Sequence, residues 1–147
     1  MNTINFYSTK DTYGEFSNFA AFPIDLDGVR WPTSEHYFQA QKFRGQPFAE
    51  VIRDTVSPMK AAQLARQQPG LRSDWEAVRD DVMRVALRAK FTQHQTLRSL
   101  LLGTKDALLV EHTVNDSYWG DGGNGTGKNM LGQLLMELRA QLYAATQ

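Results

Sequence analysis

The stretch that decides the fold of this chain reads Trp31-Pro32-Thr33-Ser34-Glu35-His36-Tyr37-Phe38-Gln39-Ala40-Gln41-Lys42-Phe43. Its opening residues form a helix start signal, because a Thr or Ser hydroxyl at the N-cap accepts a hydrogen bond from the first free N–H groups. Either Thr33 or Ser34 fits the cap position. The sequence therefore predicts a helix that begins here, with the carboxylate of Glu35 in its first turn.

One side of this predicted helix carries three polar groups. Glu35, Gln39 and Lys42 are spaced at i, i+4 and i+7, so they share one stripe at 3.6 residues per turn. Aromatic side chains take other directions and anchor the helix. The stripe fits the wall of a polar pocket, and it fits an ordinary solvated face equally well.

Length and composition limit the class of protein. The chain has 147 residues, of which 41% are hydrophobic, and this suits one compact domain with a full core. Sixteen basic residues balance sixteen acidic ones, which excludes the large positive field of a non-specific duplex binder but leaves room for a local basic groove. The absence of cysteine excludes disulfides, thiolate metal sites and a cysteine nucleophile. Without a signal peptide or a long apolar run, we expect a soluble cytoplasmic protein with no membrane partner.

The rest of the chain predicts short strands and several helices. Strands are expected at 4–8 and 107–112, the latter buried, and a hairpin over 22–31 that turns at Asp27-Gly28. Helices are expected over 47–53, 57–67, 73–90, 95–102 and 129–144. The helix over 73–90 opens with a capping-box pattern and places Val78, Val82, Val85 and Ala89 on one face.

The loop Tyr13–Phe19 combines three aromatic residues with Glu15 and Asn18. This composition suits a surface that holds a flat ring and its polar edge, with Phe16, Asn18 and Phe19 as candidate binding residues. A loop that fills the core would have the same composition. The residues alone leave both interpretations open.

A glycine-rich stretch over residues 118–129 nearly matches two nucleotide-binding patterns. Residues 122–128 satisfy G-x-x-x-x-G-K, and residues 120–125 satisfy G-x-G-x-x-G. Both patterns require a crossover helix that returns to a parallel sheet, yet only 18 residues follow Asn129. Context therefore rejects both patterns and disfavours a small ATPase that uses Lys128, the second rival function. A phosphate or diphosphate loop at the start of the last helix is favoured over a flexible turn.

Two other kinds of catalytic site are not supported by the motifs. His36, His94 and His112 lack the spacing of a metal-binding set, and no H-E-x-x-H occurs. The absence of a G-x-S-x-G elbow removes support for a Ser-His-Asp hydrolase. We therefore expect no metal site and no cofactor, and we expect His36 to pack or hydrogen-bond beside Glu35.

Taken together, these stretches resemble the NADAR family, the YbiA-like N-glycosidases. The matching segments are Phe6–Ser8, Tyr13–Phe19, Trp31–Phe43, Asp74–Glu76, Lys90–Phe91, Asp116–Gly127, Asn129, Leu131 and Gly132. The resemblance spans almost the whole chain, and the string around Glu35 combined with the Asp116 block is highly specific. One departure occurs at Thr104-Lys105-Asp106, where the family commonly has Thr-Gly before the acidic position. This departure bears on substrate preference more than on activity.

The resemblance implies a single α+β domain over residues 1–147, mostly helical with a small sheet. It also implies a hydrolase that cleaves N-glycosidic bonds. Substrates in the family include phosphorylated ribosylaminopyrimidine intermediates of riboflavin synthesis, and some members remove ADP-ribose from guanine in DNA or RNA. The neutral net charge favours the free metabolite slightly.

Residue chemistry agrees with this resemblance. Breaking a ribosyl C–N bond develops positive charge at C1, which a nearby carboxylate stabilises, or the carboxylate activates the incoming water. Glu35 is the natural candidate. The resemblance also implies importance for Trp75 and Trp119 as ring-stacking walls, and for Asp116 as a polar anchor. Each has an alternative, since a buried Trp is commonly core and Asp116 could cap a turn.

Lys42 has two possible roles on the same stripe. It binds a phosphate, or it attacks C1 of an opened ribose and forms a Schiff base if burial lowers its pKa. With Glu35 and Asp116 it completes the expected catalytic set. The expected substrate-binding residues are Phe16, Asn18, Phe19, Trp75, Trp119, Gly120, Gly125, Gly127 and Asn129. The rival interpretation is a non-catalytic ADP-ribose or nucleotide-binding module, which would not require Glu35.

Overall fold

The computed structural model describes residues 2–146, which form six α-helices, four β-strands and a 3-10 turn at Gly14–Phe16. The strands are β1 (Thr3–Phe6), β2 (Ile24–Leu26), β3 (Val29–Trp31) and β4 (Leu108–Glu111). The helices are α1 (Ser34–Gln41), α2 (Phe48–Arg53), α3 (Pro58–Gln67), α4 (Trp75–Gln93), α5 (Gln95–Gly103) and α6 (Met130–Ala145). The α+β class is confirmed.

The chain divides into two compact units. The middle unit is Ala21–Gln93, and the terminal unit combines the residues up to Ala20 with those from His94 onward. The prediction of one domain stays a prediction. No helix within residues 2–146 is long and apolar enough to cross a membrane.

The middle unit begins with the predicted hairpin. Strands β2 and β3 are antiparallel, with Ile24 opposite Trp31. Asp27 and Gly28 have φ values of 55° and 76°, the left-handed backbone that a two-residue hairpin turn requires. The hairpin is therefore confirmed at the residues that the Asp-Gly signal indicated.

Helix α1 lies at the centre of the middle unit. The hydroxyl of Thr33 accepts a 3.1 Å hydrogen bond from the backbone N–H of His36, so Thr33 is the N-cap. Every residue from Ser34 to Ala40 is buried, because α1 packs against α2, α3, α4 and β3. The alternative of a solvated amphipathic face is therefore wrong. Polar side chains buried on this helix need partners or a ligand.

Helix α4 packs with a face that only partly matches the predicted one, since Ala89 is buried in the core and Val82 packs against that core. Val85 is 44% exposed, whereas Met83, Ala86 and Lys90 are buried. The prediction was therefore wrong for Val85 and confirmed for Ala89. A buried lysine contributes to the packed face, and hydrophobic periodicity does not count a charged residue as core.

In the terminal unit, β1 and β4 pair in parallel, with Phe6 opposite Glu111. Helix α6 packs on β4 with very close approach, since a Cβ atom on Gly132 would collide with the carbonyl oxygen of Leu109. The strand predicted over 107–112 is present, but only part of it is buried. Leu109 is fully buried while Leu108 is 43% exposed.

Candidate active site

A carboxylate and an amide are joined on α1. Glu35 is only 8% exposed, and the side-chain Nε2 of Gln39 donates a 2.7 Å hydrogen bond to Glu35 Oε2. The predicted stripe is therefore present for these two residues. A buried carboxylate held by a neutral donor keeps a fixed orientation, as a catalytic carboxylate must.

Lys42, the C-cap residue of α1, has its amine beside two aromatic rings. Its Nζ lies 5.8 Å from the ring centroids of both Phe38 and Trp75. Burial lowers the pKa of Lys42 from its ordinary value of 10.5. Glu35 opposes this effect and Arg66 adds to it, but burial is the largest cause. The neutral amine that nucleophilic attack requires is thus more accessible than in an exposed lysine.

The backbone around Lys42 is fixed by the segment that precedes α4. The N–H of Arg72 donates to the carbonyl of Lys42 at 3.0 Å, and the guanidinium of Arg72 donates to the carbonyl of Gln41 at 3.3 Å. Two further hydrogen bonds, of 2.6 and 2.9 Å, join that guanidinium to the carboxylate of Asp74. Trp75 follows directly, so the same segment places its ring beside Lys42.

Trp75 is 7% exposed, and its ring lies 5.1 Å from that of Phe38, tilted by 60°. It is therefore packed as core residues are. Its position next to the Lys42 amine agrees also with a wall of a binding site. The two interpretations of Trp75 are thus compatible.

His36 is fully buried and hydrogen-bonded at both ring nitrogens. Its Nε2 lies 2.7 Å from the carbonyl oxygen of Thr55, and because a carbonyl only accepts, Nε2 carries the proton. Its Nδ1 then accepts from the Thr33 hydroxyl at 2.8 Å. Burial lowers the pKa of His36, which keeps the ring neutral. His36 thus packs and hydrogen-bonds as predicted, with Thr33 and Thr55 as partners.

In the terminal unit, Asp116 caps a turn. Its Oδ1 accepts hydrogen bonds from the backbone N–H groups of Tyr118 at 2.9 Å and Trp119 at 2.8 Å. The turn-capping alternative is therefore correct for this oxygen. No hydrogen bond joins Oδ2 to any residue within 2–146, so a role as polar anchor stays a prediction.

The start of α6 does not offer the free N–H groups that the sequence analysis assigned to a phosphate. The N–H groups of Asn129, Met130 and Leu131 donate to the carbonyls of residues 118–120 at 2.9–3.0 Å. Carbonyls of the glycine-rich stretch thus already accept from the N–H groups that an anion would need. That part of the prediction is wrong.

The side chain of Asn129 is also used by the fold. Its Oδ1 accepts from the N–H of Glu111 and its Nδ2 donates to the carbonyl of Leu109, both at 2.9 Å, so the amide continues the hydrogen bonding of β4. Gly120 and Gly127 lie where a Cβ atom would collide with neighbouring backbone. The packing and hydrogen bonding of the chain explain why these residue types stand at positions 120, 127 and 129, and no substrate contact is needed to explain them.

Gly125 differs from the other candidate glycines. A Cβ atom there would meet no other atom within 4 Å, but its φ of 82° favours glycine. Trp119 is half-buried, with its ring 5.0 Å from that of Tyr118. Both residues remain predicted binding residues.

The aromatic loop near the N-terminus divides between two roles. Phe16 is fully buried, with its ring 5.6 Å from Phe6 and 5.3 Å from Tyr13, and this is core packing. We therefore do not expect Phe16 to contact a substrate directly. Asn18 is 8% exposed and Phe19 is 36% exposed, and both stay predicted binding residues.

Sequence reasoning missed a carboxylate–imidazole pair in the terminal unit, Asp121 and His112. The buried carboxylate of Asp121 accepts from Nδ1 of His112 at 2.7 Å and from the N–H groups of Thr113 and Gly123 at 3.1 and 2.9 Å. These bonds lower the pKa of Asp121, with His112 as the largest cause. His112 and Asp121 are nine residues apart in sequence, so no periodic pattern indicated that their side chains would pair.

The structure thus brings Glu35, Lys42 and Trp75 together in the middle unit, and Asp116 and Trp119 together in the terminal unit. The role of Gln39 was also missed, although it lay on the predicted stripe. No group of three or more His, Cys, Asp or Glu residues within 2–146 is arranged to hold a metal ion.

Comparison with known proteins identifies the family. The NADAR domain model matches residues 5–143. The chain belongs to the NADAR family. It is 65% identical over 140 residues to the N-glycosidase YbiA of Escherichia coli (strain K12), covering 95% of this chain and 88% of that protein. The structure is similar to the NMR structure of E. coli YbiA, with a TM-score of 0.92, 62% identity, and coverage of 99% of this chain and 87% of that one.

More distant relatives carry related names. An N-glycosidase of Nostoc punctiforme is 43% identical over 144 residues, covering 95% of this chain and 92% of the relative. A riboflavin biosynthesis protein of Vibrio vulnificus is 41% identical over 140 residues, covering 95% of this chain but 38% of that longer protein. These relatives support N-glycosidase activity, a hydrolysis of N-glycosyl bonds.

Proposed function

We propose that this protein hydrolyses the N-glycosidic bond between a ribose and a base. The observation that carries the proposal is the arrangement on α1. A buried Glu35 carboxylate is held by Gln39, and the desolvated amine of Lys42 follows on the same stripe beside the ring of Trp75. Carboxylate, amine and aromatic wall are the groups that ribosyl–base cleavage uses.

Glu35 acts on the charge that develops at C1. As the C–N bond breaks, its electron pair leaves with the base and C1 becomes electron-poor. The fixed carboxylate stabilises this charge or takes a proton from the attacking water. The water oxygen then bonds to C1, the base takes up a proton, and free ribose phosphate or ADP-ribose is released.

Lys42 supplies a covalent route to the same products. Its neutral amine attacks C1 of the opened ribose, the base leaves with a proton, and the resulting imine is hydrolysed by water. The lowered pKa of Lys42 supports this role over that of a phosphate ligand, which would be served best by a permanent ammonium ion. Trp75 then stacks on a flat ring of the substrate.

Two substrate classes fit this chemistry. A phosphorylated ribosylaminopyrimidine is favoured, because one relative is named a riboflavin biosynthesis protein and the chain has a formal net charge of zero. The second class is guanine carrying ADP-ribose in DNA or RNA, for which a groove around one modified base suffices. Asp116, Asn18, Phe19, Trp119 and Gly125 are proposed as further substrate contacts. No cofactor takes part in the proposed reaction.

Chromatography of products tests the proposal. The protein is incubated with a phosphorylated ribosylaminopyrimidine and, separately, with an ADP-ribosylated guanine oligonucleotide. Release of free base together with ribose phosphate or ADP-ribose supports hydrolysis and identifies the substrate class. Binding of both compounds without release would instead support the non-catalytic ADP-ribose or nucleotide-binding module, which has no use for a fixed carboxylate.

A further inference from the structure

Gln39 has one polar atom whose partner is missing. Its Nε2 donates to Glu35, but its Oε1 is buried and accepts no hydrogen bond from any residue within 2–146. The residue is 7% exposed. A buried carbonyl oxygen without a donor is costly, so such an atom beside the Glu35 carboxylate points to a ligand that supplies the donor.

The orientation of the amide follows from charge. An ionised carboxylate only accepts hydrogen bonds, so the nitrogen of Gln39 must face Glu35. The reversed amide would place two acceptor oxygens against each other at 2.7 Å. Oε1 and Nε2 of Gln39 are bonded to the same carbon. Because Nε2 faces Glu35 Oε2, Oε1 is directed away from that carboxylate oxygen.

We propose that Oε1 of Gln39 accepts a hydrogen bond from the ribose 2-hydroxyl of the substrate, and that Nε2 holds Glu35 against C1. This inference rests on the proposed function. The 2-hydroxyl stands on the carbon next to C1, so a carboxylate at C1 brings the neighbouring amide to it. Hydrogen bonds to this hydroxyl strengthen as positive charge develops on the sugar. Gln39 thus positions the carboxylate and selects ribosyl over 2-deoxyribosyl substrates.

The test compares a phosphorylated ribosylaminopyrimidine with its 2-deoxy counterpart. We expect Gln39→Met to lower kcat/KM for the ribosyl substrate by about 10²-fold and to lose most of the ribosyl-to-deoxyribosyl preference of the wild type. The 2-deoxy compound is intrinsically more labile than the ribosyl compound. This difference does not affect the test, because the ribosyl-to-deoxyribosyl ratio of kcat/KM in each variant is compared with the same ratio in the wild type. Gln41→Met is the matched control on the same helix and should keep the wild-type ratio.

Gln39→Glu separates the two atoms. It retains an acceptor near the Oε1 position, so the preference for the 2-hydroxyl should remain. It also places a second carboxylate against Glu35, so one proton is shared and the acidic limb of the pH–rate profile should move to higher pH. A merely structural glutamine would produce neither result.

The outcomes are distinguishable. An unchanged ribosyl-to-deoxyribosyl ratio in active Gln39→Met would reject the inference and leave the proposed function intact. If that variant does not fold, loss of the preference in Gln39→Glu would reject the inference instead. No turnover of either substrate class by the wild type would reject the proposed function, and the inference with it.

Discussion

Helix α1 and the loop over residues 116–129 both carry polar side chains in family motifs, but they use them differently. In the loop, the carboxylate of Asp116 accepts hydrogen bonds from two backbone N–H groups, and that of Asp121 accepts from three donors. Both the oxygen and the nitrogen of the Asn129 amide form hydrogen bonds with the backbone of β4. On α1, by contrast, Gln39 keeps an oxygen without a donor, and Lys42 is desolvated beside aromatic rings.

The difference separates two reasons for a polar residue in a motif. In the loop, polar groups stabilise an irregular backbone whose N–H groups would otherwise lack partners. On α1 the backbone bonds are already made by the helix, so the donorless oxygen of Gln39 and the desolvated amine of Lys42 cost stability without supporting the backbone. A fold keeps such groups for chemistry. We therefore propose that the reaction takes place at α1 and that the polar residues over 116–129 mainly stabilise the loop.

The largest expected effect is at Glu35. Glu35→Gln keeps size and hydrogen bonding but removes the charge, so turnover should fall by at least about 10²-fold, the scale of a lost acid–base group. Substrate affinity should change little. Steady-state kinetics measures both quantities. Glu76→Gln, an exposed glutamate on α4, is the matched control and should be fully active. If Glu35→Gln turned over substrate at the wild-type rate, the proposed chemical role of α1 would be rejected.

Asp116 tests the assignment of the loop. Asp116→Asn retains the Oδ1 acceptor and hence the turn, but loses the charge at Oδ2. If Oδ2 contacts substrate, KM should rise about tenfold with kcat nearly unchanged, the effect of one charge-assisted hydrogen bond. Asp116→Ala should in addition lower the free energy of unfolding by about 1 kcal/mol, as for a lost cap. A large fall of kcat in Asp116→Asn would contradict the comparison by giving the loop a chemical step.

His36 gives a pH dependence of stability that comes from α1. Its pKa is lowered in the folded state from 6.5, so below about pH 6.5 the unfolded chain binds a proton that the folded chain does not. The free energy of unfolding should fall as pH decreases through this window, by at most about 1.4 kcal/mol per pH unit, and this contribution should level off below the folded-state pKa.

Denaturant titrations between pH 7 and pH 5 measure this slope. In His36→Gln the slope should shrink, even if the variant is less stable at every pH. Asp121 loses its contribution only at lower pH, because its lowered pKa lies below the ordinary 3.8 of a carboxyl group. An unchanged slope in His36→Gln would mean that His36 is not held neutral by burial.

The smallest expected effect concerns Lys105, outside both regions. The structure gives Lys105 a φ of 58°, the left-handed backbone that glycine adopts without strain, and this is where the family commonly has Gly. Lys105→Gly should therefore raise the free energy of unfolding by up to about 1 kcal/mol without altering kcat. Thermal unfolding with parallel activity assays measures both, and a changed substrate preference would instead support the role first inferred from the sequence departure.

Local signals predicted the elements well. The Asp27-Gly28 turn, the start of the helix predicted over 57–67 and the choice of Thr33 or Ser34 as N-cap agree with the structure, because each depends on residues close in sequence. The sequence could not predict that the N–H groups at the start of α6 donate to the carbonyls of residues 118–120, because these hydrogen bonds depend on the path that the loop takes in three dimensions. It could not assign Phe16 to the core either, since an aromatic residue suits a core and a binding wall equally.

Trapping of Lys42 tests the central claim most directly. The protein is treated with borohydride during turnover of a phosphorylated ribosylaminopyrimidine, and the peptide that contains Lys42 is analysed by mass spectrometry. We expect a reduced sugar adduct on Lys42, because its burial favours the neutral amine that attacks C1. We also expect Lys42→Arg to be inactive, since guanidinium cannot form the imine. An unmodified Lys42 peptide together with an active Lys42→Arg enzyme would contradict the account.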